Sequence, residues 1–134
     1  MDNLKPGLVG EKSITVTPEV TARHLGSGGI LVFSTPSMVA LMEGAAVAAI
    51  DHVLAEGQAS VGAEISVKHL AATPLGQQVR ARAEVTGVDG RQVHFRLQAW
   101  DEQELIGEGT HTRFVIDMAR FLKRIEGKTS GAAS

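Results

Sequence analysis

Glu43 is the acidic residue of this 134-residue chain whose surroundings ask for an explanation: Val39 precedes it by four positions, and Ala46 and Val47 follow by three and four. A carboxylate among apolar side chains on a helix is costly unless it is partnered or protonated. Such a group is a candidate nucleophile or general base. The plainer alternative is that it reaches the rim of a groove and is solvated. His69 comes next, since the alternation Val61, Ala63, Ile65, Val67, His69 puts its ring in phase with the buried face of a strand. There it either serves the carboxylate or is a hydrogen-bonded core histidine. Arg113, on a later strand, shares a face with Gly107, Gly109 and His111. His24, His52, His94 and His111 lack a ligand spacing such as His-Glu-x-x-His, and the chain has no cysteine. No metal or other cofactor is therefore expected, and activity is expected to tolerate replacement of these four histidines.

The element that must position Glu43 is a helix. Met38, Leu41, Met42, Ala45, Ala49, Ile50, Val53 and Leu54 recur at the spacing of a core-facing stripe. Thr35 is the expected N-cap, Pro36 fits the first helical position, and Gly57 is the expected C-cap. Because Val39, Ala46, Val47 and Ile50 make the other side apolar too, something must wrap this helix. Ahead of it, residues 1–12 read as irregular and Ser13 to Thr17 as a strand ended by Pro18. A short helical turn over Glu19 to Leu25 follows, and then Gly26-Ser27-Gly28-Gly29, a flexible loop placed like a gate before the helix.

After the helix the period changes to two. In Ser60 to Leu70 the face opposite His69 carries Gly62, Glu64, Ser66 and Lys68; Gln78 to Thr86 buries Val79, Ala81, Ala83 and Val85. Asp89-Gly90 signals a hairpin, and the return strand buries Val93, Phe95, Leu97 and Ala99. In Glu104 to Val115, Gly107 and Gly109 on one face suggest a seat for the central helix, with Arg113 turned toward it. Asp117 caps a short amphipathic helix with Met118, Phe121, Leu122 and Ile125 on one face. One domain over residues 1–126 is expected, with 127–134 a disordered tail. A long helix followed by an alternating antiparallel sheet gives an α+β, hot-dog fold, the sheet curled around the helix. Its open edges point to a homodimer.

Composition narrows the function. The formal charge of −2 and pI near 6.2, with no basic stripe, disfavour nucleic-acid binding. Absence of cysteine excludes a disulfide framework and a thiolate nucleophile. No signal region opens the chain and no apolar run reaches membrane length, so a cytoplasmic protein without a membrane partner is expected.

Arg23-His24-Leu25, Phe33 through Glu43, Val67 through Gly76 and Gly107 through Arg113, in this order and spacing, resemble the hot-dog thioesterases of the fluoroacetyl-CoA thioesterase-like family. The resemblance covers about residues 20–121 and implies an acyl-CoA thioesterase acting on a small or medium acyl group. Its site would lie at a dimer interface, built from Thr35, Glu43 and His69 and supported by Gly62 and Arg113. Where the fluoroacetyl-specific enzyme has a longer aromatic-containing segment, this chain has Gly26 to Leu31, and Pro36 replaces a glycine after Thr35. Fluoroacetyl specificity is thus not implied. For thioester hydrolysis, Glu43 would attack the carbonyl through a mixed anhydride or deprotonate water. His69 would hold or protonate Glu43, or protonate the departing thiolate. Thr35 is open between cap, positioning hydroxyl and nucleophile. First-turn N–H groups around Pro36 and Ser37 would receive the oxyanion. Arg113 would pair with a carboxylate or a substrate phosphate, or form a structural ion pair. A hot-dog hydratase would place a histidine five residues beyond the acid, where Ala48 stands here. A non-catalytic acyl-CoA-binding protein is the remaining alternative.

Overall fold

The structure, a computed structural model, describes residues 3–132. Five strands, β1 (Val9–Thr15), β2 (Gln58–His69), β3 (Gln78–Asp89), β4 (Gln92–Trp100) and β5 (Leu105–Asp117), form one antiparallel sheet in the order β1-β3-β4-β5-β2. A short helix α1 (Ala22–Leu25) precedes the central α2 (Thr35–Ile50), and α3 (Met118–Ala132) closes the chain. The inward faces expected for β3 and β4 are buried, and they meet Met38, Leu41, Met42, Ala45, Ala49 and Ile50 of α2. This is the hot-dog arrangement expected from the alternation. The hairpin forms at Gly90, whose φ of +61° suits glycine.

Several boundaries differ from expectation. β1 begins at Val9, inside the stretch that reads as irregular, because Gly10 is needed for packing: a Cβ there would collide with the α2 backbone at Ala45, Ala48 and Ala49. The N-cap of α2 is Ser34, whose Oγ accepts from the Ser37 N–H at 3.1 Å; Thr35 is the first helical residue. At its other end α2 stops at Ile50 and runs into a 3-10 turn, Asp51–Val53, so Gly57 (φ +82°) shapes the turn into β2 and is not the cap. α3 stays helical through Gly127 to Ala132, where composition suggests a disordered tail, and its apolar residues Met118, Phe121, Leu122 and Ile125 are exposed. No helix among the described residues is long and apolar enough to cross a membrane.

Gly10 and Gly107 both seat α2, but filling them is expected to cost different amounts. Gly107 also faces α2, but an added Cβ meets the flexible Met38 Sδ at 2.5 Å and the Met42 methyl at 3.1 Å. Gly107→Ala is expected to cost about 0.5–1.5 kcal/mol, the scale of a displaced rotamer. Gly10→Ala, which meets backbone, is expected to cost about 3 kcal/mol or more, the upper range for overpacking. Denaturant midpoints compare them directly, and equal losses would refute the difference.

Candidate active site

Two clusters form along α2. At its N-terminus Thr35 Oγ1 lies 2.7 Å from His69 Nδ1, across the space between the helix and the end of β2. Because Ser34 takes the capping role, the Thr35 hydroxyl is free for this bond. The pair borders a cavity of about 340 Å³ with Ala22, Ser27, Val32, Leu70, Ala71 and Ala72 on its walls. Burial lowers the His69 pKa, opposed by the Ala71 backbone beside it, which favours a neutral ring able to take a proton. His69 Nε2 is buried without a hydrogen-bond partner among the described residues. Leu25, at the end of α1, and Ile30 and Leu31, in the loop before α2, are exposed.

The second cluster surrounds Glu43, eight residues farther along, about 12 Å at the helical rise. Glu43 Oε2 stands 3.6 Å from Arg113 Nη1, and its side chain is 41% exposed. The expectation of a carboxylate sealed in apolar surroundings is thus corrected: Val47 is exposed and Val39 only half-buried, so the chain leaves this side of α2 uncovered. Arg113 itself is buried, as is His111, whose Nδ1 donates to the Glu64 carbonyl at 2.7 Å while Nε2 accepts from Arg113 Nη1 at 3.2 Å. Burial lowers the His111 pKa first of all; Arg113 adds to this, and the Glu64 carbonyl and Glu43 oppose it.

Gly62 belongs to this cluster for a reason that strict alternation hides. The β2–β5 register steps from Gly62↔Arg113 to Glu64↔Thr112, leaving Ala63 as a bulge. The bulge reverses the face, so Ser60 and Gly62 turn inward along with Ile65, Val67 and His69. Ser60 is buried and Ala63 exposed, the opposite of the alternation read from sequence. A Cβ on Gly62 would lie 2.7 Å from Glu43 Oε2, so the carboxylate occupies the room that glycine leaves.

The structure therefore joins Thr35 to His69 and Glu43 to Gly62 and Arg113, but does not bring His69 to Glu43. Pro36 and Ser37 lie beside Thr35, yet Pro36 has no N–H and Ser37's is taken by Ser34, so neither supplies the expected oxyanion donor. Sequence reasoning missed Ser60, Asp51 and the role of His111; the shared face of His111 and Arg113 was its one available signal. His111 is a hydrogen-bond partner of Arg113, a contact that the shared face alone does not reveal. Among the described residues no three His, Asp or Glu side chains converge as metal ligands.

Two histidines with lowered pKa values, His111 buried and His69 half-buried, set an acid limit. Each has its folded-state pKa below the ordinary 6.5, so below about pH 6.5 the unfolded chain binds protons that the native protein refuses. Stability is expected to be full above pH 6.5 and to fall as the pH drops below it. A urea midpoint as high at pH 5 as at pH 7.5 would contradict this.

Residues 16–119 match the family model described as fluoroacetyl-CoA-specific thioesterase. The chain is 40% identical over 136 residues to the fluoroacetyl-CoA thioesterase of Streptantibioticus cattleyicolor, covering 94% of this chain and 98% of that protein. A variant of a fluoroacetyl-CoA thioesterase solved in complex with acetyl-CoA superposes with a TM-score of 0.88 at 37% identity, covering 94% of this chain and 99% of the other. A thioesterase superfamily member from Thermus thermophilus gives 0.87 at 29% identity, over 98% and 99% of the two chains. With this fold, these clusters and these relatives, the chain belongs to the fluoroacetyl-CoA-specific thioesterase family and is a hot-dog thioester hydrolase acting on acyl-CoA.

Proposed function

We propose that this protein hydrolyses acyl-CoA thioesters of small or medium acyl groups at a site completed by a second copy of the chain, with Thr35, His69 and Glu43 as its reacting groups. The observation that carries this is the 2.7 Å Thr35–His69 contact beside a cavity at the N-terminus of α2, while Glu43, about 12 Å farther along the same helix, sits over Gly62 near the other end of β2. β2 is a 12-residue edge strand bonded on one side only, to β5, and the uncovered apolar side of α2 lies near it through Gly62 and Glu43. Pairing through such an edge covers that surface and sets the Glu43 of one protomer against the Thr35–His69 pair of the other.

The chemistry then divides between the two clusters. Glu43 either attacks the thioester carbonyl, forming a mixed anhydride that water opens, or takes a proton from the water that attacks. The C–S bond breaks in either route and coenzyme A leaves as a thiolate, already a fair leaving group. The helix dipole at Thr35 favours charge on the carbonyl oxygen, and His69, neutral and bonded to Thr35, orients its hydroxyl and handles a proton. A panel of acyl-CoAs assayed by release of free thiol tests this, with turnover of one or more members expected. An acyl-CoA that binds without turnover across the panel would favour a binding protein.

A further inference from the structure

Arg113 is held from behind by polar groups that the chemistry above does not use. Asp51, in the 3-10 turn after α2, accepts a 2.6 Å hydrogen bond from Ser60 Oγ. The same oxygen accepts from Arg113 Nε at 2.8 Å, and the Ser60 carbonyl accepts from Nη2 at 2.9 Å. Nη1 points the other way, toward His111 Nε2 at 3.2 Å and Glu43 Oε2 at 3.6 Å. The guanidinium is therefore gripped on one edge by a single residue, while its opposite corner faces the carboxylate that does the chemistry. Ser60 reaches it only because the bulge at Ala63 turns this end of β2 inward.

The grip matters because of what an untethered arginine does. Opposite a carboxylate it closes into a bidentate pair at about 2.7–2.9 Å, which occupies the oxygen lone pairs. Here the approach stops at 3.6 Å, short of a hydrogen bond. Resting on the thioesterase reading above, we propose that Asp51 and Ser60 are positioning residues. They hold Arg113 away from Glu43, so that the carboxylate oxygens stay open to the thioester carbonyl or to water while a positive charge remains beside them. Asp51 orients the Ser60 hydroxyl by accepting its hydrogen bond, which leaves the oxygen's lone pairs to Arg113 Nε. Its carboxylate also shares the arginine's charge with Glu43, weakening the pull toward the reacting group.

Steady-state kinetics on the full chain, with the acyl-CoA it hydrolyses fastest, tests this. Asp51→Asn, at a half-buried position where the amide fits, is expected to lower kcat about 3- to 10-fold with KM unchanged within about two-fold. Ser60→Ala is expected to lower kcat about 10-fold, and Ser60→Thr, which keeps the hydroxyl on a β-branched strand residue, to recover at least about half of it. In an Arg113→Lys background, Ser60→Ala is expected to cost little more, because lysine offers Ser60 no Nε; this non-additivity separates positioning from general support of the fold. Parental kcat in Asp51→Asn, a Ser60→Ala loss that threonine does not restore, or losses that simply add in the lysine background would each overturn the proposal. Those outcomes leave the hydrolase standing, whereas a parent protein that turns over no acyl-CoA overturns the hydrolase and the positioning role together.

Discussion

Glu43→Gln is expected to reduce hydrolysis by roughly 100-fold or more, the scale of lost acid–base or nucleophilic participation, while the protein keeps its fold. Glutamine is nearly isosteric, and the contact it disturbs is the 3.6 Å approach to Arg113, which is too long to be a strong hydrogen bond. Arg113 keeps its two bonds to Ser60 and its contact with His111, so the neighbourhood has no reason to collapse. KM is expected to stay near the parental value, since the cavity and the helix N-terminus are untouched. His69→Ala is expected to cost less if the ring only orients Thr35, and a similar amount if it carries a proton. A folded Glu43→Gln protein working at the parental rate would show that Glu43 is structural.

Mixing two impaired variants is expected to restore about one quarter of the parental activity beyond what the variants retain, which is the outcome specific to a site shared between copies. Glu43→Gln and His69→Ala protomers, denatured together and refolded, give hetero-pairs in which one site collects both defects and the other none. With random pairing about half of the dimers are mixed, and each has one of its two sites intact. If instead all three groups act within one protomer, no combination contains an intact set and the mixture stays as inactive as its parts. The structure makes the experiment informative because Thr35 and Glu43 sit about two and a quarter turns apart on one rigid helix, a separation that side-chain motion does not close.

The core of the fold was legible because it obeys period. The buried alternations of β3 and β4 and the α2 stripe Met38, Leu41, Met42, Ala45 and Ala49 depend on nearest-neighbour geometry that sequence spacing records directly. Features set by contacts between distant segments were not legible. Gly10 looked like a loop residue because the helix that presses on it lies 35 positions away at Ala45. Ser34 and Thr35 are both good caps by type, and the Thr35 hydroxyl bonds instead to His69, a residue 34 positions away that local sequence does not place beside it. The bulge at Ala63 has no strong mark in its own residues, so strict alternation puts Gly62 on the wrong face and hides the contact of Ser60 with Arg113. Glu43 stood out because it interrupts an apolar pattern; Asp51 did not, because it lies where the pattern ends.

The two glycine seats also give α2 a mechanical character. Its C-terminal half is clamped, backbone against strand, at Gly10, while its N-terminal half rests over Gly107 on the thioether chains of Met38 and Met42. Backbone contact resists displacement, whereas unbranched methionines change rotamer readily and refill the space they leave. The helix is thus anchored at one end and sprung at the other, and Thr35 is on the sprung end. A shift of the Thr35 end would therefore be taken up by methionine rotamers over Gly107, with the clamp at Gly10 holding the other half of the helix in place.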